Sequence, residues 1–259
     1  MLRLILLLVS AFLFNSVAMA EPLVIRHLKE ADRDDRRTEY FVSVLSLALS
    51  KVFKKSEYSL QPADVLMKST RALDSLMNGS IDVVWGMTSI EREKKSAAVR
   101  VPLLKGLLGY RIFLIREGDQ ARFSSIQNFE QLQQLSAGQD ALWLDTKILK
   151  YNELPVVSGS NYSGLFSMLQ RKRFDYFPRG VHEPWHEMIT HKQQKLTVEK
   201  TLLLRYQSPV FFFVSKNNPV LRSALEQGLK IALADGSFDK LLYNHQITKQ
   251  IFERANIDK

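Results

Sequence analysis

The sequence predicts an α/β fold of two hinged lobes, each a mostly parallel sheet flanked by helices. Apolar segments of strand length alternate with segments of helical periodicity, and this alternation forms two successive runs along the chain. A β-α-β order implies parallel strands joined by right-handed crossovers. The chain is also predicted to pass between the two runs twice, near residues 106–110 and 205–209. Two such crossings are typical of a clamshell that closes by hinge motion.

Residues 1–20 have the pattern of a cleavable signal peptide. Arg3 precedes an apolar run at residues 4–14, and Ala18-Met19-Ala20 comes directly before Glu21. The apolar run is shorter than the roughly 20 residues that cross a bilayer. No cysteine follows it, so a lipid anchor is not expected. We therefore expect an exported, periplasmic protein.

The composition restricts the possible classes of partner and cofactor. Removal of residues 1–20 from the 259-residue chain leaves 239 residues, enough for two domains of about 100–150 residues. The chain has no cysteine, so disulfides and thiolate metal sites do not occur. The formal charge is +9, but the basic residues are spread out without interleaved aromatic residues, so we expect no nucleic-acid partner. We expect a monomer with no cofactor and no metal.

The first run predicts strands at residues 23–26, 58–61 and 81–85, with a helix in each connection. The first of these helices has apolar residues at helical spacing: Phe41, Val44, Leu45, Ala48, Leu49 and Val52. Ser69 or Thr70 can cap the second helix, and Asn78-Gly79 is suited to end it.

The second run begins with a predicted strand at residues 110–115. Further strands are predicted at residues 141–143, 155–157 and 174–177, and helices at residues 128–135, at 146–151 and after a cap at Asn161. Residues 201–219 should contain a strand that returns to the first run, before helices at 221–234 and from 238. We therefore predict one lobe from residues 21–106 plus 210–259, and a second from residues 107–209.

A polar turn, Gly86-Met87-Thr88-Ser89, follows the predicted strand at residues 81–85. In open α/β sheets, ligands bind at the carboxyl ends of strands. The turn offers hydroxyls and free amides, and Arg92 follows it closely. A guanidinium can bind a carboxylate through two parallel hydrogen bonds. The alternative is that Arg92 is a solvated member of the charged run at residues 91–95.

Two segments carry a resemblance to a known family. Residues 78–103, NGSIDVVWGMTSIEREKKSAAVRVPL, resemble the corresponding segment of periplasmic solute-binding proteins of the polar amino acid family, solute-binding family 3. Residues 232–245, ALADGSFDKLLYNH, are similar to that family's last helix pair. The resemblance implies the type II periplasmic binding fold and a ligand in the interlobe cleft. It also implies service to an ABC transporter, with an inner-membrane permease or a sensor receptor as partner.

The resemblance implies roles for individual residues. Arg92 and the turn at residues 86–89 would hold a ligand carboxylate, and Thr146, with Asp145 before it, would contribute at a helix start. The predicted ligand-binding residues are Tyr40, Trp85, Met87, Thr88, Ser89, Arg92, Trp143, Asp145, Thr146, Tyr162, Arg179 and Glu183. Asp145 could instead only cap its helix, and Trp143 could belong to the core.

The sequence departs from the family at the residue that holds a ligand ammonium. The family has an aspartate where this chain has Gly180, and Arg179 lies beside that position. Arg92 and Arg179 on opposite walls would suit a ligand with two acidic groups, whereas Glu183 can replace the missing carboxylate. Two questions therefore stay open. The ligand is either an amino-acid-like molecule or a dicarboxylate, and the protein serves either transport or sensing.

Two enzymatic alternatives remain, although we expect no catalytic residues. The fold also resembles cyclohexadienyl dehydratases, which need a general acid; Glu183, His182 and His27 are the candidates. The run from His182 to His186 matches the H-E-x-x-H pattern of zinc hydrolases. Pro184 within it would break the helix that such a site requires, and only His191 and Glu199 could supply a third ligand.

Overall fold

The computed structural model describes residues 21–29, 37–64 and 69–255. The predicted signal peptide lies outside these residues. Across the described ranges, every helix is too short or too polar to cross a bilayer.

The first part of the chain alternates strands and helices, as the sequence predicts. Its elements are β1 (Leu23–His27), α1 (Arg37–Ser50), β2 (Tyr58–Pro62), α2 (Ser69–Met77), β3 (Val83–Met87), α3 (Ile90–Lys95) and β4 (Ala97–Val99). A 3₁₀ turn at Leu107–Gly109 then leads into the second part.

The second part contains β5 (Tyr110–Arg116), α4 (Gln120–Ser124), α5 (Phe129–Leu132), β6 (Ala137–Asp140), α6 (Leu144–Tyr151), β7 (Val156–Gly159), α7 (Tyr162–Gln170), β8 (Phe177–Gly180), α8 (Pro184–Thr190), a 3₁₀ turn at Lys192–Gln194, β9 (Leu196–Val198) and β10 (Leu204–Arg205). The chain ends with β11 (Val210–Val214), α9 (Pro219–Ala234), α10 (Ser237–Asn244) and α11 (Lys249–Arg254).

The first sheet has the strand order β2-β1-β3-β11-β4. Strand β1 is parallel to β2 and β3, whereas β11 is antiparallel to β3 and β4, with Val210 opposite Met87. Helices α1 and α9 pack on each other, and α9 also contacts β4 and β11. The return of β11 from the second part of the chain confirms the strand predicted within residues 201–219.

The second sheet has the order β10-β5-β8, with β9 also paired to β5. All three partners of β5 are antiparallel to it, whereas β6 and β7 form a parallel pair. Both parts of the molecule therefore have mixed sheets, and the prediction of mostly parallel sheets is wrong. The reason is that β5 pairs with segments that turn back towards it, and β11 enters the first sheet from the opposite direction.

Two predicted strands are displaced. Residues 141–143 form the turn before α6, and the strand there is β6, whose residues Gln139 and Asp140 are buried. The strand predicted at residues 174–177 is β8, which begins at Phe177 and includes Pro178. Both strands bury polar residues or proline, so neither has the alternating apolar pattern from which strands are predicted.

Each sheet has its own hydrophobic core. One cluster surrounds the first sheet and includes Leu45, Val83 and Phe212. Two clusters cover opposite sides of the second sheet, one containing Phe113 and the other Leu114. These two residues are consecutive in β5, so their side chains point to opposite faces.

The two segments that join the parts of the molecule lie side by side. The amide of Tyr206 donates to the carbonyl of Gly109 at 3.0 Å, and the amide of Leu103 donates to the carbonyl of Val210 at 2.9 Å. A Cβ on Gly109 would lie 2.4 Å from the carbonyl oxygen of Tyr206. Glycine at this position therefore permits the close approach of the two segments.

Candidate functional site

The turn after β3 makes more hydrogen bonds within the protein than the sequence predicts. Thr88 donates its amide to the carbonyl of Pro209 at 3.0 Å and its hydroxyl to Glu93 at 2.6 Å. Ser89 is the N-cap of α3 and accepts from the amide of Arg92 at 3.2 Å. The expectation of free groups is therefore wrong for Thr88, which bonds to Pro209 and Glu93, and for the Ser89 hydroxyl, which caps α3.

Arg92 is half-buried at the carboxyl end of β3. Its guanidinium carbon lies 5.2 Å from the centroid of the Phe213 ring, and its Nη1 lies against the backbone of Gly86. Burial lowers the pKa of Arg92. Within residues 21–29, 37–64 and 69–255, no carboxylate forms an ion pair with it. This environment differs from the solvated one that its charged neighbours suggest, because the guanidinium is partly desolvated between Phe213 and Gly86.

Arg179 lies in β8 and is only 2% exposed. Its guanidinium pairs with Glu187 at 2.6 Å and with Glu183 at 2.9 Å. Burial acts to lower the pKa of Arg179, but the two carboxylates outweigh that effect and raise it. The charge of Arg179 is therefore already matched inside the protein, which argues against the predicted role of a second ligand-binding cation facing the cleft.

Arg111, in β5, is a central residue that the sequence analysis missed. It is 4% exposed and pairs with Asp145 at 2.6 Å, and its Nη1 lies 3.9 Å from Glu183. The hydroxyl of Tyr206 also donates to Asp145, at 2.5 Å. Burial raises the pKa of Tyr206, which keeps that hydroxyl protonated. The available signal was a single charged residue inside the apolar strand YRIFLI, since arginine is rarely buried unless paired.

Glu183 joins the two arginines into one group of interacting charges. We call Arg111, Asp145, Arg179, Glu183 and Glu187 the buried charge cluster. Its members belong to the second part of the chain, but Nη2 of Arg111 reaches the sulfur of Met87 at 3.7 Å. The cluster therefore contacts the end of β3 at Met87. The same strand contacts Arg92 at Gly86.

The four aromatic residues predicted to bind the ligand lie in two different environments. Tyr40 and Trp85 belong to the core of the first sheet: the Tyr40 hydroxyl donates to the carbonyl of Leu103 at 2.7 Å, and Trp85 stacks on Phe41. This burial argues against their predicted role as ligand-binding residues. Trp143 and Tyr162 are half-buried and lie 5.0 and 5.7 Å from the Arg179 guanidinium.

Thr146 and Asp145 lie in the first turn of α6, as expected. Both are buried, and Thr146 donates its hydroxyl to the carbonyl of Asp140 at 2.7 Å. Asp145 makes its ion pair with Arg111 instead of capping the helix, whose N-cap is Trp143. Both side chains therefore have partners inside the protein.

The zinc-hydrolase pattern lacks its helix. Helix α8 begins at Pro184, so His182 precedes it and does not share a helix face with His186. Of the two candidate third ligands, His191 stacks on Phe166 and Glu199 accepts from the amides of Thr201 and Leu202. In the described part of the chain, no group of three or more His, Cys, Asp or Glu residues is arranged to hold a metal ion.

Comparison with known proteins shows similarity in structure without recognisable similarity in sequence. No family model and no curated protein matches the sequence. Among solved structures, a probable amino-acid ABC transporter extracellular-binding protein from Bacillus subtilis has a TM-score of 0.66 and 17% identity, covering 87% of this chain and 98% of that one.

Two further solved structures illustrate the range of similar proteins. An ancestral amino acid-binding protein, described as a precursor of cyclohexadienyl dehydratase, has a TM-score of 0.63 and 17% identity over 86% of this chain and 95% of its own. A Salmonella typhimurium periplasmic binding protein with high arginine specificity has a TM-score of 0.62 and 13% identity over 85% of this chain and 97% of its own.

These similarities identify the fold as that of the type II two-lobed periplasmic binding proteins and confirm the predicted fold class. All three structures are described as binding proteins. At identities of 17% or below for these three structures, they show the fold alone.

Proposed function

We propose that this chain is an exported solute-binding protein that captures a small carboxylate-bearing, amino-acid-like ligand between two lobes. The lobes are residues 21–106 with 210–259, and residues 107–209. The observation that carries the proposal is Arg92, a half-buried guanidinium at the carboxyl end of β3 that no described carboxylate neutralises. A ligand carboxylate supplies the missing charge through two parallel hydrogen bonds.

The ion pairs of Arg179 support an amino-acid-like ligand over a dicarboxylate. A second ligand carboxylate would need a second cation, but Arg179 is held by Glu187 and Glu183. Arg111 is likewise paired with Asp145. In the buried charge cluster the two arginines are therefore matched by three carboxylates and neither cation is left unpaired. The half-buried Trp143 and Tyr162 lie beside Arg179, and Met87 contacts Arg111.

Binding without catalysis is the mode of action that we propose. Glu183, the candidate general acid, accepts from the amide of Gly180 at 2.6 Å and pairs with Arg179. Both carboxylate oxygens are thus engaged within the protein, whereas a general acid has to lie within hydrogen-bond reach of its substrate. The monomeric chain would act in the periplasm and present its ligand to an inner-membrane permease or a sensor receptor.

A thermal-shift screen against L-amino acids, dicarboxylates and keto acids tests the proposal. A ligand at 100 times its Kd stabilises the folded state by about 2.7 kcal/mol. We expect one L-amino acid to stabilise the wild-type protein, and the same concentration of it to stabilise Arg92→Ala much less. Arg222→Ala is the matched control, because Arg222 lies on α9 in an exposed pair with Glu226. A stronger response to dicarboxylates, or a response of Arg92→Ala equal to that of the wild-type protein, would contradict the proposal.

A further inference from the structure

We infer that Gly86 is a positioning residue for ligand binding, because it leaves room in the sheet surface for the guanidinium of Arg92. The inference rests on the proposed function. It assigns a binding role to a residue that contacts no ligand itself and acts through Arg92.

The geometry of β3 defines this space. A Cβ built on Gly86 would lie 2.3 Å from Nη1 and 3.2 Å from Cζ of Arg92. Both distances are shorter than van der Waals contact, so the guanidinium occupies the volume of the missing side chain. Any other residue at position 86 would have to displace it.

Phe213 forms the second surface against Arg92. In the β3–β11 register, Phe213 lies opposite Val84, and Phe211 lies opposite Gly86. Side chains alternate between the faces of a strand, so Phe213, Val84 and Gly86 share one face. The Arg92 guanidinium lies on this face, 5.2 Å from the ring centroid of Phe213. A cation at this distance from an aromatic ring is attracted to the ring face.

Backbone conformation does not explain a glycine at this position. The glycines with positive φ are Gly79, Gly106, Gly118 and Gly236, and Gly86 is not among them. Glycine inside a strand weakens it and often marks a close approach by another group. Here the approaching group is Arg92, the residue on which the proposed site depends. The space that the Arg92 side chain occupies therefore explains why position 86 is a glycine.

Gly86→Ala should leave the fold intact and move Arg92. The overlapping atom is the end of a flexible side chain, so the guanidinium can shift without a change in the backbone. The shifted guanidinium would lose its alignment with the ligand carboxylate. We expect Kd to rise about ten- to hundredfold, as for loss of a hydrogen bond to a charged group.

A double-mutant cycle between positions 86 and 92 tests the inference. Calorimetry would measure Kd for the amino acid found in the screen, with the wild-type protein, Gly86→Ala, Arg92→Lys and the double variant. Lysine keeps a weaker point charge but lacks the planar fork, so binding stays measurable. Gly86→Ala should weaken binding strongly when Arg92 is present and have little further effect in the Arg92→Lys background. Gly164→Ala is the matched control, since its Cβ would meet the nearest atom, of Asn161, at 3.5 Å.

The possible outcomes separate this inference from the proposed function. If Arg92→Lys weakens binding but Gly86→Ala does not, or if Gly86→Ala acts equally in both backgrounds, the positioning role is overturned and the proposed function remains. Binding that is unaffected by both substitutions overturns the proposed site as well. If Gly86→Ala lowers the unfolding temperature, the double variant Gly86→Ala/Arg92→Ala should restore it, because the new Cβ no longer overlaps with the Arg92 guanidinium. If the two substitutions instead lower the unfolding temperature additively, the inference is overturned.

Discussion

Arg111 and Asp145 form an ion pair of 2.6 Å in which both side chains are at least nine-tenths buried. The pair joins β5 to the start of α6, and Tyr206 adds a hydrogen bond from the segment that crosses between the two parts of the molecule. The pair therefore links the second sheet, helix α6 and the crossing segment that contains Tyr206.

Asp145→Ala should destabilise the fold by about 3–5 kcal/mol, because it leaves the buried Arg111 without its closest counter-charge. Urea unfolding followed by circular dichroism would measure the loss. Glu226→Ala, which removes an exposed pair with Arg222, should cost about 1 kcal/mol or less. Equal losses in the two variants would show that the buried pair has no special importance.

Arg179→Met should also cost about 3–5 kcal/mol, because Glu183 and Glu187 would remain buried without their shared cation. The same unfolding experiment measures it. A cleft residue that served only the ligand would behave differently: its removal would weaken binding and leave the stability of the free protein unchanged. That second pattern would return Arg179 to the ligand site.

Gly109→Ala should destabilise the protein by about 1–3 kcal/mol, the range for overpacking a filled position. The added Cβ would meet the carbonyl oxygen of Tyr206, a backbone atom that cannot turn aside as a side chain does. Gly164→Ala provides the comparison, since its Cβ has ordinary contacts only. Unfolding midpoints in urea would show the difference, and similar midpoints would argue against close packing of the crossing segments.

His27 should make the stability depend on pH. It is 7% exposed, and burial lowers its pKa in the folded protein. The unfolded chain therefore binds the proton more tightly, so the His27 contribution is complete above the unfolded pKa of about 6.5 and is lost as the pH falls through the lower folded pKa.

Unfolding temperatures recorded between pH 7.5 and 5 measure this effect. The wild-type protein should lose stability towards pH 5, and His27→Gln should reduce that slope. His186→Gln, at a partly exposed position, is the control. If His27→Gln and the wild-type protein have parallel profiles, His27 is not the source of the dependence.

The fold class follows from the sequence because the alternation of strands and helices is a local property. Strands β6 and β8 could not be placed correctly, since Gln139, Pro178 and Arg179 interrupt their apolar pattern. Residues outside these strands compensate for the interruptions, as Glu187 of α8 does for Arg179. Strand direction also depends on pairing between segments far apart in the chain, as Val210 and Met87 show.

The candidate site was predictable only in part. Arg92 could be proposed from its turn and from the family resemblance, but its burial depends on Phe213, which is remote in sequence. Tyr40 and Trp85 were predicted to bind the ligand but lie in the core of the first sheet. An aromatic residue near a strand end can belong either to a cleft or to the core. Only the packing of Trp85 on Phe41 decides between them.

The most direct test of the account is calorimetric titration of the wild-type protein, Arg92→Ala and Arg222→Ala with the amino acid that the screen identifies. We predict that the wild-type protein and Arg222→Ala bind with the same affinity. Arg92→Ala should bind at least about tenfold more weakly, since it loses a charge-assisted contact to the ligand carboxylate. Equal affinity in all three proteins would contradict the claim that Arg92 holds the ligand.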